Sequence, residues 1–348
     1  MMIYFTLVLF IMMFVSANIM YYYSSNKRII FVFVFVFTVL VFFTRSYMQP
    51  DFYNYKLIYD SIYVRGELLN YIISIEIGFL GLLSVFSSLG LDYFQVSNVI
   101  FFLICTLFGI AAHQHHDIKK GEAYLLLALF FSSYYFYFLS LNVVRQGLAV
   151  AIFSIGLSRL LSNRNYSALF FLIAVLFHYS AILLFLIVFF SKYVSKKISI
   201  IACFVVIFLS CLFGFFDVLA NFPFPDFIAI RIQKLKYYNE STLGSYIKLL
   251  FYFFTCLLYF SLLVVGKKIS RDVFFLSSGF LVFSLLFMNY GEFLDRLMMY
   301  SIAFSAFIFV DIYRVISPRS VGNIVLFFYC LLSYVFVFLS SPLNGFFV

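Results

Sequence analysis

The chain consists of apolar segments separated by short polar stretches. The apolar segments contain few charged residues and are close to the length of about 20 residues that a membrane-crossing helix needs. They recur along the whole length, so no separate soluble domain is left over. The pattern predicts an all-α polytopic membrane protein with about 10–12 hydrophobic helical segments, folded as one transmembrane domain over 1–348. The predicted segments are 3–23, 29–44, 72–90, 94–112, 123–141, 146–161, 166–190, 198–220, 246–265, 273–288, 297–316 and 321–340.

Clusters of Lys and Arg divide the polar stretches into two groups. Positive charge concentrates on the cytoplasmic side of membrane proteins, so the short basic stretches are predicted to be cytoplasmic. The two long polar segments, 45–71 and 221–245, are then predicted to be external loops. The cytoplasmic clusters are Lys27/Arg28, Arg159/Arg164, Lys192/Lys196/Lys197, Lys267/Lys268/Arg271 and Arg314/Arg319.

Segment 166–190 does not fit a simple crossing. It is the only apolar segment between the basic cluster that ends at Arg164 and the one that begins at Lys192, and a single crossing would place one cluster outside. Two full crossings do not fit either, because about 12 residues of helix reach only about 18 Å. The sequence therefore predicts a re-entrant or broken-helix hairpin with His178 near its apex. The same comparison of basic clusters and crossings predicts that 72–90 does not fully cross the membrane.

The composition agrees with a membrane protein and argues against several other classes. Of the 348 residues, 65% are hydrophobic and 11% are charged, whereas soluble domains have about 25% charged residues. The net charge of +9 does not indicate nucleic-acid binding, because the basic residues fall in short loop clusters. All five cysteines lie in apolar segments, which argues against a disulfide framework or a metal site. The stretch 113–117 (HQHHD) is interpreted as a polar linker without metal-ligand geometry.

Three ionisable residues within or at the edge of apolar segments are candidates for a functional site: Glu76, Arg145 and His178. A charge in lipid is costly unless it faces a cavity or a partner. Arg145 lies at the start of a predicted helix, where its guanidinium and the unpaired backbone N–H groups would bind an anion such as phosphate. The alternative is an interfacial Arg that extends to the lipid headgroups. His178 either faces a polar site or is hydrogen-bonded by a neighbouring helix.

The first predicted external loop, 45–71, is rich in tyrosine and carries Asp51, Tyr53 and Tyr55. One interpretation is an interfacial aromatic belt, in which tyrosine rings lie at the level of the lipid headgroups. The other is a lip that contacts carbohydrate, since Tyr and Asp side chains stack on sugars and hydrogen-bond to them.

The later external segments add basic candidates. Counting membrane crossings along the chain places one dense basic cluster, in 221–245, on the outside. An anionic ligand would explain why this cluster departs from the cytoplasmic preference of basic residues. Arg296 repeats the position of Arg145 at the external start of a helix, with an ion pair to Glu292 or Asp295 as the alternative. The residues of the 221–245 cluster are Arg231, Lys234 and Lys236.

Four short motifs occur in a defined order along the chain. They are PDFY at Pro50–Tyr53 followed by Tyr55, EIGF at Glu76–Phe79, VRQGLA at Val144–Ala149 and FHYSA at Phe177–Ala181. In this order and spacing the chain resembles the EpsG family of polysaccharide polymerases, which are relatives of Wzy-type O-antigen and capsule polymerases. The resemblance covers roughly residues 45–300.

The resemblance implies a metal-independent glycosyltransferase without a cofactor. It implies polymerisation of undecaprenyl-diphosphate-linked oligosaccharide repeat units of a lipopolysaccharide O-antigen, a capsule or an exopolysaccharide. The reaction would take place at the outer face of the bacterial inner (plasma) membrane. The implied partners are the lipid-linked glycan, the bilayer and a chain-length regulator, and no nucleic acid.

The candidate residues are compatible with this chemistry. Arg145 and Arg296 would neutralise the diphosphate leaving group, and His178 would accept the proton of the attacking sugar hydroxyl. Glu76 or Asp51 would instead act as the base or orient the acceptor. The remaining substrate-binding candidates are Tyr53, Tyr55, Gln146, Arg231, Lys234 and Lys236.

Three other classes of protein compete with this interpretation. A lipid-linked oligosaccharide flippase would also place basic residues in a membrane cavity, but such transporters usually have two related halves. His178 has no counterpart in the second half of the chain. A membrane acyltransferase would more often pair a His with a nearby Asp or Asn in a compact motif. A purely structural subunit is the weakest alternative, given several intramembrane ionisable groups.

Overall fold

The structure of the protein is a computed structural model, and it describes nine parts of the chain. Within these parts all regular secondary structure is helical, which confirms the predicted all-α class. The predicted segments 3–23 and 198–220 lie outside the described residues. The described parts are 29–44, 50–66, 71, 75–115, 122–193, 243–266, 269–287, 290–316 and 319–340.

The contacts between helices divide the chain after Ile182 into two compact units. A transmembrane domain can contain more than one compact unit, so the organisation as a single domain stays a prediction. The helices of the first unit are α1 (Ile29–Thr44), α2 (Pro50–Arg65), α3 (Ile77–Ser88), α4 (Tyr93–Gln114), α5 (Glu122–Ser132), α6 (Tyr134–Leu141), α7 (Val144–Leu161) and α8 (Ser167–Phe177). Beyond them lie α9 (Ala181–Tyr193), α10 (Leu243–Val264), α11 (Arg271–Leu286), α12 (Gly291–Met298), α13 (Ser301–Val315) and α14 (Arg319–Ser340).

Several described helices are long and apolar enough to cross a membrane, as a multi-pass membrane protein requires. Four candidate spans satisfy both conditions: Tyr93–Gln114, Val144–Leu161, Tyr246–Val264 and Phe293–Val315. The last of these joins α12 and α13. A fifth is formed if α5 and α6 are taken together. The protein is therefore a multi-pass membrane protein.

The predicted span 123–141 is not one straight helix. It consists of α5 and α6, whose axes are bent by 69°. Ser133 lies at the bend with an extended backbone (φ −73°, ψ 135°), a conformation that interrupts a helix. Serine favours caps and turns over helix interiors because its hydroxyl competes for backbone hydrogen bonds. The hydrophobicity of 123–141 predicted a membrane segment but did not reveal this break.

The predicted external loop 45–71 is not irregular throughout, because its central part folds as α2; its external placement stays a prediction. Tyr55, Tyr59 and Ile62 are buried, and their spacing of four and three residues places them on one face of a helix. The Tyr59 hydroxyl donates to the Leu91 carbonyl oxygen at 2.5 Å. The helical spacing was present in the sequence, but the tyrosines and charges between these positions obscured it.

The predicted break in 166–190 is confirmed. Helix α8 ends at Phe177 and α9 begins at Ala181, with His178 in an extended conformation (φ −157°, ψ 120°). Helix α8 has 11 residues and reaches about 17 Å, which is too short for the roughly 30 Å hydrocarbon core. That the two helices form a re-entrant hairpin stays a prediction. Helix α3, with 12 residues, is also too short to cross, as expected for 72–90.

Helix α7 is the centre of the first unit, where it packs against α4, α6 and α8. A Cβ atom added at Gly156 would lie 2.6 Å from the Phe171 ring, and one added at Gly147 would overlap the Leu139 carbonyl oxygen. The Ser158 hydroxyl donates to the Ala111 carbonyl oxygen at 2.6 Å. Small residues on α7 therefore allow close helix packing, which fixes the position of Arg145 at its N-terminal end.

The second unit is built around α10, which packs against α11, α13 and α14. The buried Tyr252 hydroxyl donates to the Ser277 carbonyl oxygen at 3.2 Å and links α10 to α11. Lys248 on α10 and Asp295 on α12 form an ion pair with a distance of 3.0 Å from Nζ to Oδ2. Polar side chains within this unit are thus paired across helices, as charged groups in a membrane protein require.

Candidate functional site

Arg145 is the centre of a cluster of predicted site residues in the first unit. Its Nη1 donates to Glu76 Oε2 at 2.5 Å, and its Nε donates to the Tyr55 hydroxyl oxygen at 3.1 Å. The guanidinium carbon lies 5.3 Å from the centre of the Tyr55 ring, within the range of cation–π attraction. The fold therefore brings together three residues that the sequence singled out in separate segments.

The ion pair is largely closed to solvent, with Glu76 more buried than Arg145. The side chain of Glu76 is 7% exposed and that of Arg145 is 23% exposed. A charge-assisted hydrogen bond is strong in such surroundings. Among the described residues, Nη2 of Arg145 has no hydrogen-bond partner. Glu76 and Tyr55 thus bind Nη1 and Nε of the guanidinium, and Nη2 is the nitrogen that they leave unpaired.

Local backbone structure explains how the pair forms. Arg145 is the second residue of α7, directly after the break at Asn142 and Val143. A cation is disfavoured at a helix N-terminus by the helix dipole, and the carboxylate of Glu76 offsets this cost. Glu76 is the N-cap residue of α3, but its side chain makes no capping hydrogen bond. Its carboxylate is used instead to bind Arg145.

Tyr55 is a buried residue of α2, with 6% exposure. Burial raises the pKa of its hydroxyl above the usual value, and the nearby carboxylates of Asp51 and Glu76 act in the same direction, whereas Arg145 opposes them. The hydroxyl therefore keeps its proton at neutral pH. It accepts from Arg145 and still has an O–H group with which to donate.

Asn142 is a polar residue that sequence reasoning missed. It lies three residues before Arg145, in the break between α6 and α7. Its Oδ1 atom is buried and, among the described residues, has no hydrogen-bond partner. Such atoms are rare in native structures. The signal in the sequence is an Asn between two apolar segments, three residues before an arginine.

His178 is held by its own turn. Its Nδ1 lies 2.6 Å from the Ser180 hydroxyl oxygen and accepts from the Ser180 backbone N–H at 3.3 Å. The ring is half-buried, and Ser180 is buried. The backbone N–H contact fits the tautomer in which Nδ1 accepts and Nε2 carries the proton. In the other tautomer Nδ1–H donates to the hydroxyl and leaves Nε2 as the basic nitrogen. In both, Ser180 orients the imidazole.

The ends of two short helices place His178 in the neighbourhood of Glu76. A Cβ atom added at Gly78 would lie 2.7 Å from the Leu176 carbonyl oxygen, so the backbones of α3 and α8 are in contact. Gly78 is two residues after Glu76, and Leu176 is two residues before His178. The start of α3 and the end of α8 therefore bring the EIGF and FHYSA motifs next to each other.

The other predicted residues of the first unit differ in their accessibility. Asp51 lies in the first turn of α2, one helical turn before Tyr55. The Tyr53 side chain is 54% exposed, whereas Gln146 is buried with 1% exposure. Tyr53 is thus accessible to a ligand, and Gln146 belongs to the packing around the first turn of α7.

Arg296 does not repeat the arrangement of Arg145. It is exposed and lies in the last turn of the eight-residue helix α12, and α13 begins only at Ser301. The sequence predicted one helix over 297–316, which Arg296 would open. The structure instead begins a helix at Gly291, so Arg296 lies near the end of α12. The neighbouring Asp295 accepts from Lys248, a partner that the local sequence pattern did not suggest.

The remaining predicted residues, Arg231, Lys234 and Lys236, lie outside the described residues. Within the part of the chain that the structure describes, no group of three or more His, Cys, Asp or Glu side chains has an arrangement that could hold a metal ion. The described cluster is a guanidinium held by a carboxylate and a phenol, and its role in anion binding stays a prediction.

Comparison with known proteins is informative at the level of the family. No curated protein and no solved structure matches the chain. A model of the EpsG family matches residues 29–347, which is most of the chain and includes every segment of the cluster. The protein therefore belongs to the EpsG family, a family of Wzy-like polymerases that act in polysaccharide biosynthesis.

Proposed function

We propose that this protein polymerises undecaprenyl-diphosphate-linked oligosaccharide repeat units by glycosyl transfer at the outer face of the bacterial inner membrane. The observation that supports this proposal best is the Arg145 guanidinium, held by Glu76 and Tyr55, with one edge left for an anion. A diphosphate leaving group requires such a preorganised cation, because negative charge develops on its oxygen as the glycosidic bond breaks.

The proposed reaction is a displacement at the anomeric carbon of the donor. A hydroxyl of the acceptor sugar forms the new bond to this carbon, while the bond from the carbon to the diphosphate oxygen breaks. The lipid diphosphate leaves with the bonding electrons and is stabilised by Arg145, and Arg296 is a further candidate for this role. The proton of the hydroxyl is transferred to a base. The reaction needs neither a metal nor another cofactor.

His178 is the proposed base. This role requires the tautomer in which Nδ1–H donates to the Ser180 hydroxyl and Nε2 accepts the proton, so the Ser180 backbone N–H must give up its contact with Nδ1. Glu76 is the less suitable base, because its carboxylate already accepts from Arg145 and is nearly closed to solvent. Glu76 therefore orients Arg145. Asp51, Tyr53 and Tyr55 lie on α2, which packs against α3; Asp51 and the exposed Tyr53 are proposed to contact the sugars, whereas the buried Tyr55 holds the guanidinium.

The proposal is tested in cells from which this chain has been deleted. We expect single repeat units to reach the outer face and to lengthen only when the wild-type chain is supplied, as measured by the length distribution of the surface glycan. Repeat units that never reach the outer face in the deletion strain would favour a lipid-linked oligosaccharide flippase instead. Unchanged surface glycans would contradict both functions.

Replacing His178 by alanine is expected to lower the polymerisation rate about 10²- to 10⁴-fold, the usual contribution of a general base. Replacing Ser180 by alanine should lower it less, because the imidazole remains but is no longer oriented. Ser180→Thr is the matched variant that keeps the hydroxyl, and it should retain more activity than Ser180→Ala. Full activity of His178→Ala at a normal protein level would end the assignment of His178 as the base.

A further inference from the structure

A cavity of about 550 Å³ lies in the second unit, where α10 ends and α11 begins. It combines apolar side chains with two guanidinium groups and one carboxylate, and it shares no residue with the cluster around Arg145. Its lining residues are Leu263, Gly266, Ile269, Ser270, Arg271, Asp311 and Arg314.

The carboxylate in this cavity is already fully engaged. Asp311 is 5% exposed, and its Oδ2 accepts from the Tyr259 hydroxyl at 2.6 Å and from the Ser270 backbone N–H at 3.1 Å. Its Oδ1 accepts from Arg314 Nη1 at 3.0 Å. Asp311 thus fixes the wall of the cavity, and its charge is compensated by the protein itself, so the cavity does not call for a cation.

Arg271 is the charged group of the cavity whose charge Asp311 does not compensate. It is exposed, lines the cavity, and makes no hydrogen bond or ion pair with any of the described residues. It is also the first residue of the 16-residue helix α11, where the helix dipole disfavours a cation. The helix N-terminus itself is capped by the Ser270 hydroxyl, which accepts from the Val273 N–H at 3.3 Å. Arg271 is therefore the group that an anion bound in the cavity would compensate.

The sequence that flanks the cavity-lining residues is basic. The adjoining chain segment contains Lys267 and Lys268 in addition to Arg271, against a single acidic residue, Asp272. This basic cluster is predicted to be cytoplasmic. The cytoplasmic leaflet carries anionic lipids, and basic pockets between transmembrane helices bind their headgroups.

We propose that this cavity binds the phosphate group of an anionic phospholipid of the cytoplasmic leaflet. Arg271 and Arg314 contact the phosphate, while Leu263 and Ile269 contact the apolar part of the lipid next to it. The mixed apolar and basic lining suits a lipid headgroup better than a small hydrophilic anion. This site is separate from the proposed glycosyl transfer and does not depend on it.

The test is native mass spectrometry of the full chain in detergent with added phosphatidylglycerol, and with phosphatidylcholine as the uncharged reference. We expect Arg271→Gln to lower the affinity for phosphatidylglycerol about fivefold, the effect of one basic residue near an anionic lipid. Arg271→Lys should retain most of the binding. The thermal stability without lipid should not change, because Arg271 has no partner among the described residues.

Arg164→Gln is the matched control. Arg164 belongs to another cluster that is predicted to be cytoplasmic, and the substitution removes the same charge from a residue that does not line the cavity. An equal loss of affinity in both variants would mean that only the overall charge matters and would overturn the site. Inorganic phosphate that binds as tightly as phosphatidylglycerol, and in competition with it, would overturn the assignment to a lipid and identify free phosphate as the ligand.

Discussion

Arg145→Lys is expected to reduce polymerisation about 100-fold while the protein still folds. Lysine keeps the positive charge, so Glu76 still has a partner. It cannot reproduce the fork in which Nη1 binds Glu76, Nε binds Tyr55 and Nη2 is left for the diphosphate, because its ammonium is a point charge on a flexible stem. Removal of one preorganised donor to a developing oxyanion costs about 10²- to 10³-fold in rate. The measurement is the length distribution of the glycan made by cells that carry each variant at equal protein levels.

The same helix offers a matched control at its other end. Arg159 lies in the last turn of α7, donates to the Asn165 carbonyl oxygen and to Gln114, and has its guanidinium carbon 5.5 Å from the centre of the Phe170 ring. Arg159→Lys therefore removes a comparable set of contacts far from the start of α7. We expect it to affect polymerisation little. If both substitutions lowered polymerisation equally, Arg145 would act only through the packing of α7.

Glu76→Ala is expected to lower the free energy of unfolding by about 3–5 kcal/mol, because it leaves the largely buried guanidinium of Arg145 without a counter-charge. The side chains of the pair are 7% and 23% exposed, so solvent compensates little for the lost carboxylate. Thermal unfolding in detergent measures this effect as a lower Tm. Asp60→Asn is the control, since Asp60 lies on α2 and makes no hydrogen bond or ion pair with the described residues.

The double variant Glu76→Leu with Arg145→Leu separates stability from function. Replacing a buried ion pair by apolar residues of similar volume is often neutral or stabilising, so the Tm should return toward the wild-type value. Polymerisation should be lost in the double variant, because the cation for the diphosphate is gone. A double variant that polymerises normally would show that the pair serves the fold alone.

The sequence alone determined the features that depend on local pattern. Hydrophobic runs located the candidate spans, and the break at His178 followed from counting basic clusters along a segment too short for two crossings. Arg145 was placed correctly at the start of a helix. The helix α2 could also have been found, because Tyr55, Tyr59 and Ile62 follow a helical period.

Only the tertiary structure decided which side chains meet. Glu76 and Tyr55 contact Arg145 across 69 and 90 residues of chain. The reason is burial, because a charged group in an apolar interior is stable only where another segment brings a partner to it. The pairing of Asp295 with Lys248, 47 residues away, was missed for the same reason. Local spacing identifies a residue that needs a partner, whereas the packing of helices determines which residue that partner is.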